Sequence, residues 1–328
     1  MKIKDVLKKV PFVVELKNNI KIKKAYKSDY NKFKNNWIYS KSNSKKIGYN
    51  IILEVHSLEK GMTNTNPRRF GVEKVKNIMQ LINKYEDQTN KRDFAYLLGL
   101  NALKSYLQFY EKMNWQDLEE YKAVKTFLQK YDDFEKINVG SYEINKEDFI
   151  NDAIIDYDKF LASRHSVREY QSERIRENDV INAINMAMKT PSACNRQMCK
   201  IYYVNDEKKR EETIKYGKGL TNFELDNTNI FVITFDISSY CSVGDRHQGW
   251  FNAGLISMNF VNALHSLGIG SCFIQFGNDY KEEKQLKQIL NIPESEKISV
   301  IIAAGYYKDK SIIPYSSRKN IKEIYTKI

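Results

Sequence analysis

The chain contains few of the residues that mark secreted, metal-binding or membrane-spanning proteins. Four of its 328 residues are cysteines, and their spacing matches no set of metal ligands, so no metal site is expected. No apolar run approaches the roughly 18 residues that a membrane-spanning helix needs. The apolar segment PFVV near the start is too short for a secretory leader. We therefore expect reduced thiols and a cytoplasmic protein.

Acidic residues are scarce at the start of the chain. Residues 1–50 hold fourteen lysines but only Asp5, Glu15 and Asp29, so most of the net charge of +12 lies there. This surplus indicates either a solvated lysine-rich surface or a site for an anionic partner, such as a membrane surface or a charged polymer. The stretch lacks an arginine-rich or RNA-binding signature, so no nucleic acid is expected.

Hydrophobic periodicity divides the chain into two parts. Residues 1–145 show helical spacing and no strand-like alternation, whereas residues 146–328 alternate helices with apolar strands. The segment NVGSYEIN at 138–145 is a suitable boundary. The later strands, KIYYVN, NIFVITFDIS, SCFIQF and ISVIIAAGYY, are not followed by a dinucleotide-binding glycine fingerprint or a P-loop. We predict a helical region at 1–145 and a mixed domain at 146–328.

Two short segments of the second part carry polar groups that suit an organic phosphate. In SRHSVREY, Arg164, His165, Ser166 and Arg168 place two guanidinium groups, an imidazole and a hydroxyl within five residues. Such groups give charged, forked hydrogen bonds to phosphate, although a surface cluster of ion pairs is the alternative.

The second segment, TPSACNRQ, follows a predicted helix. Its small residues allow close approach of a flat ligand, and its amides can reach polar ring edges. A simple turn is the alternative. The residues of interest are Pro191, Ser192, Asn195 and Gln197.

Together with two later segments, these motifs resemble the FMN-dependent nitroreductase family over residues 155–325. The third segment runs from Asn252-Ala253-Gly254 through Gly268-Ile269-Gly270-Ser271 to the strand containing Ile274, Gln275 and Phe276. The fourth is Ser317-Arg318. The chain departs from the family's usual pattern in two places: Met198-Cys199 follows Gln197 where Pro-Trp is common, and Asn252 replaces an aspartate.

The resemblance implies a fold, a cofactor and roles for these residues. The fold is α+β, with a central, mostly antiparallel sheet flanked by helices. By analogy, Arg164, Ser166 and Arg318 hold the FMN phosphate and ribityl chain, with His165 beside them. Arg168 reaches the N1/O2 edge of the ring. Asn195, with Pro191, Ser192 and Gln197, contacts the ring, and the backbone of Ile274, Gln275 and Phe276 lies against its reactive edge.

The family resemblance also implies a homodimer with FMN at its interface and NADH or NADPH as electron donor. The reaction would be ping-pong: FMN is reduced first, and an electrophilic acceptor such as a nitro compound or quinone is reduced second. No side chain has to act as a nucleophile, and no catalytic residue is assigned. The long apolar helix at 245–267 could supply the dimer interface.

A further motif lies in the helical region, at Val55-His56-Ser57-Leu58-Glu59-Lys60-Gly61-Met62. It resembles extensions that precede nitroreductase-like domains in bacterial surface-polysaccharide gene clusters. His56 and Glu59 could form an acid–base pair, or the motif could be a helix-ending network. Two other functions therefore stay open. One is a flavin enzyme of polysaccharide or cell-envelope metabolism that does not use nicotinamide, and the other is a non-enzymatic scaffold with a vestigial flavin site.

Overall fold

The computed structural model describes residues 11–62, 69–131, 133–141, 156–217, 228–277, 279–309 and 321–328. Helices fill the first part of the chain, and a four-stranded sheet organises the second. The helices are α1 (Pro11–Asn36), α2 (Ser44–Met62), α3 (Val72–Gln88), α4 (Phe94–Lys112), α5 (Glu119–Leu128), α6 (Tyr157–Ser163), α7 (Glu177–Ala187), α8 (Glu207–Ile214), α9 (Gln248–Ser266) and α10 (Tyr280–Leu290). The strands are β1 (Cys199–Val204), β2 (Asn229–Asp236), β3 (Ile269–Ile274) and β4 (Glu296–Tyr306).

Helix α4 forms the centre of the N-terminal helical region. Asp93 caps it by accepting a hydrogen bond from the Tyr96 N–H, and α4 is buried on most sides by α2, α3 and α5. Gly99 permits this packing, because a Cβ there would lie 3.0 Å from Ile51. Helices are present in the region 1–145 as predicted, but α5 ends at Leu128 and residues 133–139 are not helical.

The sheet has the order β1-β2-β4-β3, and every pair of neighbouring strands is antiparallel. All eight residues of β2 are buried, because helices cover both faces of the sheet. Helices α7 and α9 pack on one face, and α8 and α10 pack on the other. This arrangement confirms the fold class expected for the second part of the chain.

The two parts of the chain make polar and apolar contacts with each other. The end of α1 packs Phe33 and Trp37 against the core under α9, and the Ile38 N–H donates to the Tyr240 carbonyl at 2.9 Å. Lys45 of α2 forms an ion pair with Asp236, whose side chain is fully buried. The division at 145/146 stays a prediction, and residues 142–155 lie outside the described part of the chain.

A second ion-pair group ties α1 to the sheet. Glu283 of α10 accepts from Lys32 and from Lys297, both at 3.0 Å, and Lys297 also binds Asp29 at 2.7 Å. Burial alone would raise the pKa of the Glu283 carboxyl, but the ammonium groups of Lys297 and Lys32 lower it below its ordinary value. The ionised form of Glu283 is therefore the one that binds the two lysines.

Candidate functional site

The segment Arg164–Arg168 lies as an extended strand beside β3. Ser166 forms a parallel bridge with Ser271, and the Val167 N–H donates to the Ser271 carbonyl at 3.1 Å. Val167 is buried, whereas its neighbours Ser166 and Arg168 are partly exposed, as the alternation of an extended chain requires. Close packing depends on Gly270, where a Cβ would lie 3.2 Å from Val167.

This segment carries two guanidinium groups. Among the described residues, neither Arg164 nor Arg168 has a carboxylate partner, and the adjacent Glu169 instead lies 3.6 Å from Lys308. Both guanidinium groups act on the Cys272 thiol: burial raises its pKa, and the nearby positive charges oppose that rise. The alternative of a surface ion-pair cluster would have needed carboxylate partners here, so the arrangement favours an anionic ligand.

No local pattern in the sequence marks a third member of this cluster, His265. Its Nε2 lies 2.8 Å from the Ser163 hydroxyl, and its Nδ1 lies 2.8 Å from the Tyr307 hydroxyl. Burial lowers the pKa of His265, and the charges of Arg164 and His165 lower it further. A neutral imidazole therefore supports the arginine-bearing segment from the end of α9.

The loop at 191–197 adopts an unusual backbone. Cys194, Asn195 and Gln197 have φ angles of +52°, +50° and +49°, a left-handed region that non-glycine residues seldom occupy. Such residues cost about 1–3 kcal/mol each and persist only where surrounding contacts hold them. Ser192 provides one contact, since its hydroxyl accepts from the Gln197 N–H at 2.9 Å.

Arg196 provides the main anchor of this loop. Its side chain is buried, and it donates to the carbonyls of Ala193 at 2.9 Å and Ser239 at 2.7 Å, and to Asp245 at 2.7 Å. Burial would raise the pKa of Asp245, but Arg196 and the Cys241 N–H lower it. The sequence analysis missed this role, because Asp245 is 49 residues away and the pair is formed only by the fold.

With Arg196 turned inward, the predicted ligand-binding side chains of the loop point outward. Pro191, Asn195 and Gln197 are exposed, and Ser192 is half-buried. The loop also forms one wall of a cavity of about 290 Å³ between α7, α9 and β1. Arg196 thus holds the loop from the side of the core, and the side-chain amides of Asn195 and Gln197 lie at the surface.

The structure places the two motifs at opposite corners of the sheet. The loop ends just before Cys199, the first residue of the edge strand β1. Cys199 pairs with Phe235 of β2, which in turn pairs with Lys297 of β4. Ser166 lies beside Ser271, which pairs with Ala304, on the β3 edge. Seven residues along β4 and four strand spacings separate Cys199 from Ser166, about 30 Å at ordinary strand dimensions. One copy of the chain does not bring both motifs to a single ligand.

The remaining predicted residues occupy different positions. Ile274 ends β3 and is buried in the core, Gln275 is exposed, and Phe276 is half-buried. They share the β3 edge with the arginine-bearing segment. Arg318 and its neighbour Ser317 lie outside the described residues, so their contact with phosphate stays a prediction.

The motif in α2 has contacts that favour its structural interpretation. His56 Nδ1 lies 3.8 Å from Glu59, and the other Glu59 oxygen accepts from the Gly140 N–H at 3.3 Å. A Cβ on Gly61 would lie 2.3 Å from the Phe70 ring, so a glycine is required there. The motif thus holds together segments of the helical region.

Within the described ranges, no group of three or more histidine, cysteine, aspartate or glutamate side chains could hold a metal ion. No helix in the same ranges combines the length and apolar character needed to cross a membrane.

Comparison with known proteins finds that the second part of the chain is similar to one family. Residues 161–225 and 230–306 match the sequence model of the nitroreductase family. A curated relative from Archaeoglobus fulgidus, provisionally named NADH dehydrogenase/NAD(P)H nitroreductase, is 28% identical over 158 residues, covering 46% of this chain and 86% of that protein.

Two solved structures are similar over about half of the chain. A provisionally named nitroreductase from Bacillus subtilis has a TM-score of 0.47 and 18% identity, covering 53% of this chain and 99% of that one. A second, from Desulfovibrio desulfuricans in complex with FMN, has a TM-score of 0.46 and 18% identity, covering 54% and 98%. The family match confirms the resemblance inferred from the motifs, and residues 1–160 lie outside it.

Proposed function

We propose that this chain, whose residues 161–306 contain a nitroreductase-family domain, is an FMN-dependent oxidoreductase that uses NADH or NADPH as donor. The observation that carries the proposal is the pair of guanidinium groups on the β3 edge. Arg164 and Arg168 lack a carboxylate partner among the described residues, and they flank the hydroxyl of Ser166. This donor set fits the dianionic phosphate and the polar ring edge of FMN.

The residues present divide the work of holding such a cofactor. Arg164 and Ser166 would bind the phosphate and ribityl chain, and Arg168 would lie at the N1/O2 edge of the ring, where reduction places negative charge. When bound, FMN supplies two-electron transfer from the nicotinamide to the acceptor. For a quinone, the overall reaction is NAD(P)H + H⁺ + quinone → NAD(P)⁺ + hydroquinone.

A second copy of the chain would complete the site. Helix α9 buries one face on the sheet and exposes Phe251 and Met258 on the other, with open space around Gly254. Burial of this apolar face in a homodimer would let the 191–197 loop of one copy meet the arginines of the other. This arrangement would account for the separation of the two motifs within one chain.

The test is the absorbance spectrum of the purified protein, followed by anaerobic titration with NADH and with NADPH. A flavin spectrum that bleaches with either nucleotide is the expected result. A flavin that neither nucleotide reduces would favour an enzyme of polysaccharide or cell-envelope metabolism without nicotinamide. Protein that is colourless and cannot be reconstituted with FMN would favour the remaining alternative, a non-enzymatic scaffold.

The basic N-terminal region stays a separate proposal. Helix α1 exposes Phe12, Leu16 and Tyr26 together with several lysines, which is compatible with an anionic surface or polymer as partner. Flotation of the protein with anionic vesicles, compared with neutral ones, would test this interaction. The cytoplasmic location also stays a prediction.

A further inference from the structure

Helix α2, in the first part of the chain, lies against the 191–197 loop of the second part. It packs on the short helical turn Ala193–Asn195 within that loop. Two side chains near the start of α2 also reach the carboxylate of Asp236, the last residue of β2. Lys45 forms an ion pair with it, and the Tyr49 hydroxyl donates to its Oδ2 at 3.4 Å. The helical region therefore contacts the loop both directly and through Asp236.

Asp236 organises the turn that follows β2. Its Oδ1 accepts from the Ser238 N–H at 2.9 Å and so caps the short helical turn Ile237–Ser239. The Asp236 N–H donates to the carbonyl of Met198, just after the loop, at 2.9 Å. The Ser239 hydroxyl donates to the Asp236 carbonyl at 2.7 Å. The side chain, N–H and carbonyl of Asp236 thus all bind segments beside the loop.

The 237–239 turn supplies one of the oxygens that hold Arg196. The Ser239 carbonyl accepts from the buried Arg196 guanidinium at 2.7 Å. Direct contacts therefore lead from Lys45 through Asp236 and the turn to Arg196. The neighbour of Arg196 in the chain is Asn195, the residue expected at the flavin ring.

Removal of the Lys45 ammonium would leave a buried carboxylate without this charge partner. The Asp236 side chain is fully buried. A second fully buried carboxylate, Glu296, lies 3.9 Å from the same ammonium and also binds Lys200 at 2.7 Å. An uncompensated buried charge is costly, and protonation or entry of water relieves it. Either change weakens the cap on the 237–239 turn, and the turn then no longer fixes the position of Arg196.

We propose that Lys45 is a positioning residue for the 191–197 loop, so that helix α2 takes part in building the flavin site. The contact of the loop with flavin rests on the proposed function, whereas the positioning of the loop rests only on the contacts of Lys45 and Asp236. The loop needs such support, because its positive φ angles persist only where surrounding contacts hold them. Residues 1–160 lie outside the family match, so this support comes from the chain's own extension.

Lys32 offers a matched control, because it also joins the first part of the chain to a buried carboxylate of the second. It binds Glu283 at 3.0 Å. The other described partners of Glu283 are Lys297 and the Ile298 N–H, and neither belongs to the loop or to the 237–239 turn. Lys32→Met should therefore lower stability, as Lys45→Met should, without loosening the loop.

The first experiment is hydrogen–deuterium exchange, measured by mass spectrometry on the full chain as purified. In Lys45→Met, amides of residues 195–197 should exchange at least about tenfold faster than in wild type. Lys45→Arg, which keeps the charge, should restore slow exchange, and Lys32→Met should stay within about twofold of wild type. Amides of β3 are the internal reference. Should Lys45→Met not fold, Lys45→Gln removes the charge but keeps a donor, and the same direction is expected.

The second experiment measures the FMN dissociation constant and the visible circular dichroism of bound FMN. Lys45→Met should raise the dissociation constant about tenfold and change the flavin spectrum, while Lys45→Arg and Lys32→Met should match wild type within about twofold. The positioning role is overturned if loop exchange is unchanged in Lys45→Met, or if it rises equally in Lys32→Met. Faster loop exchange with unchanged FMN affinity would overturn the role in the flavin site. If the protein held no flavin, the proposed function would fail, while the exchange result would still decide whether Lys45 positions the loop.

Discussion

Replacing Arg196 with methionine tests whether the strained loop is held by its buried ion pair. The change removes the donor to three oxygens, on Ala193, Ser239 and Asp245. Removing one partner of a buried pair costs about 3–5 kcal/mol. Because the Asp245 side chain is 15% exposed and water can reach it, we expect the lower end, about 3 kcal/mol. At about 2–4 °C per kcal/mol, Tm should fall by roughly 6–12 °C.

The assay is urea denaturation followed by circular dichroism, in wild type, Arg196→Met, Asp245→Asn and the double variant. The losses in unfolding free energy of the two single variants should add up to about 1–3 kcal/mol more than the loss in the double variant, since both changes break the same interaction. Arg246→Met is the matched control, because Arg246 is exposed on the neighbouring turn and makes one weak contact, at 3.5 Å to Val243. It should change stability by less than about 0.5 kcal/mol.

The dependence on pH gives a second check of this ion pair. The pKa of Asp245 is lowered in the folded protein from its ordinary value of 3.8. The pair's contribution is therefore fully present above that value and is lost as pH falls through the lower folded pKa. If Arg196→Met lowers the free energy of unfolding by less than about 1 kcal/mol at neutral pH, Arg196 is not the anchor of the loop, because leaving a buried carboxylate without its partner costs more than that.

The other predictions concern the cofactor, the tail, the domain boundary and the interface. Asn195→Ala should weaken flavin binding about tenfold to a hundredfold without loss of folding, and unchanged affinity would remove the loop from the site. Arg318→Ala should weaken FMN binding at least about tenfold and Arg318→Lys only mildly, measured at one ionic strength; equal affinities would exclude the tail. A fragment of residues 146–328 should fold and bind FMN, but with lower stability, because Asp236 loses Lys45; a fragment that does not fold would contradict the boundary. The pKa of Glu283 is lowered from 4.5, so its contribution is present above that value and lost as pH falls through the folded pKa. Lys32→Met should thus reduce stability at pH 7, with a difference that shrinks as pH falls below 4.5 toward the folded pKa, in acid titrations followed by circular dichroism.

The sequence predicted the local elements near the site better than their arrangement. The polar cluster of Arg164 to Arg168 and the loop at Pro191 were visible as patterns, because residue clustering and turn chemistry act over a few residues. The anchoring of Arg196 by Asp245 and the support from His265 were not visible. These contacts join residues far apart in sequence, and no local pattern reports them.

The sequence by itself determined the helical first part, the strands of the second, the resemblance of residues 155–325 to a known family and the residue types suited to FMN. Only the tertiary structure decided that Ser166 and Asn195 stand at opposite corners of one sheet, that Arg196 pairs with Asp245, and that Lys45 meets a buried Asp236. The physical reason is the sequence distance over which each kind of interaction acts. Periodicity and capping depend on neighbours within one or two turns, whereas strand order, burial and charge pairing depend on which distant segments share the same core.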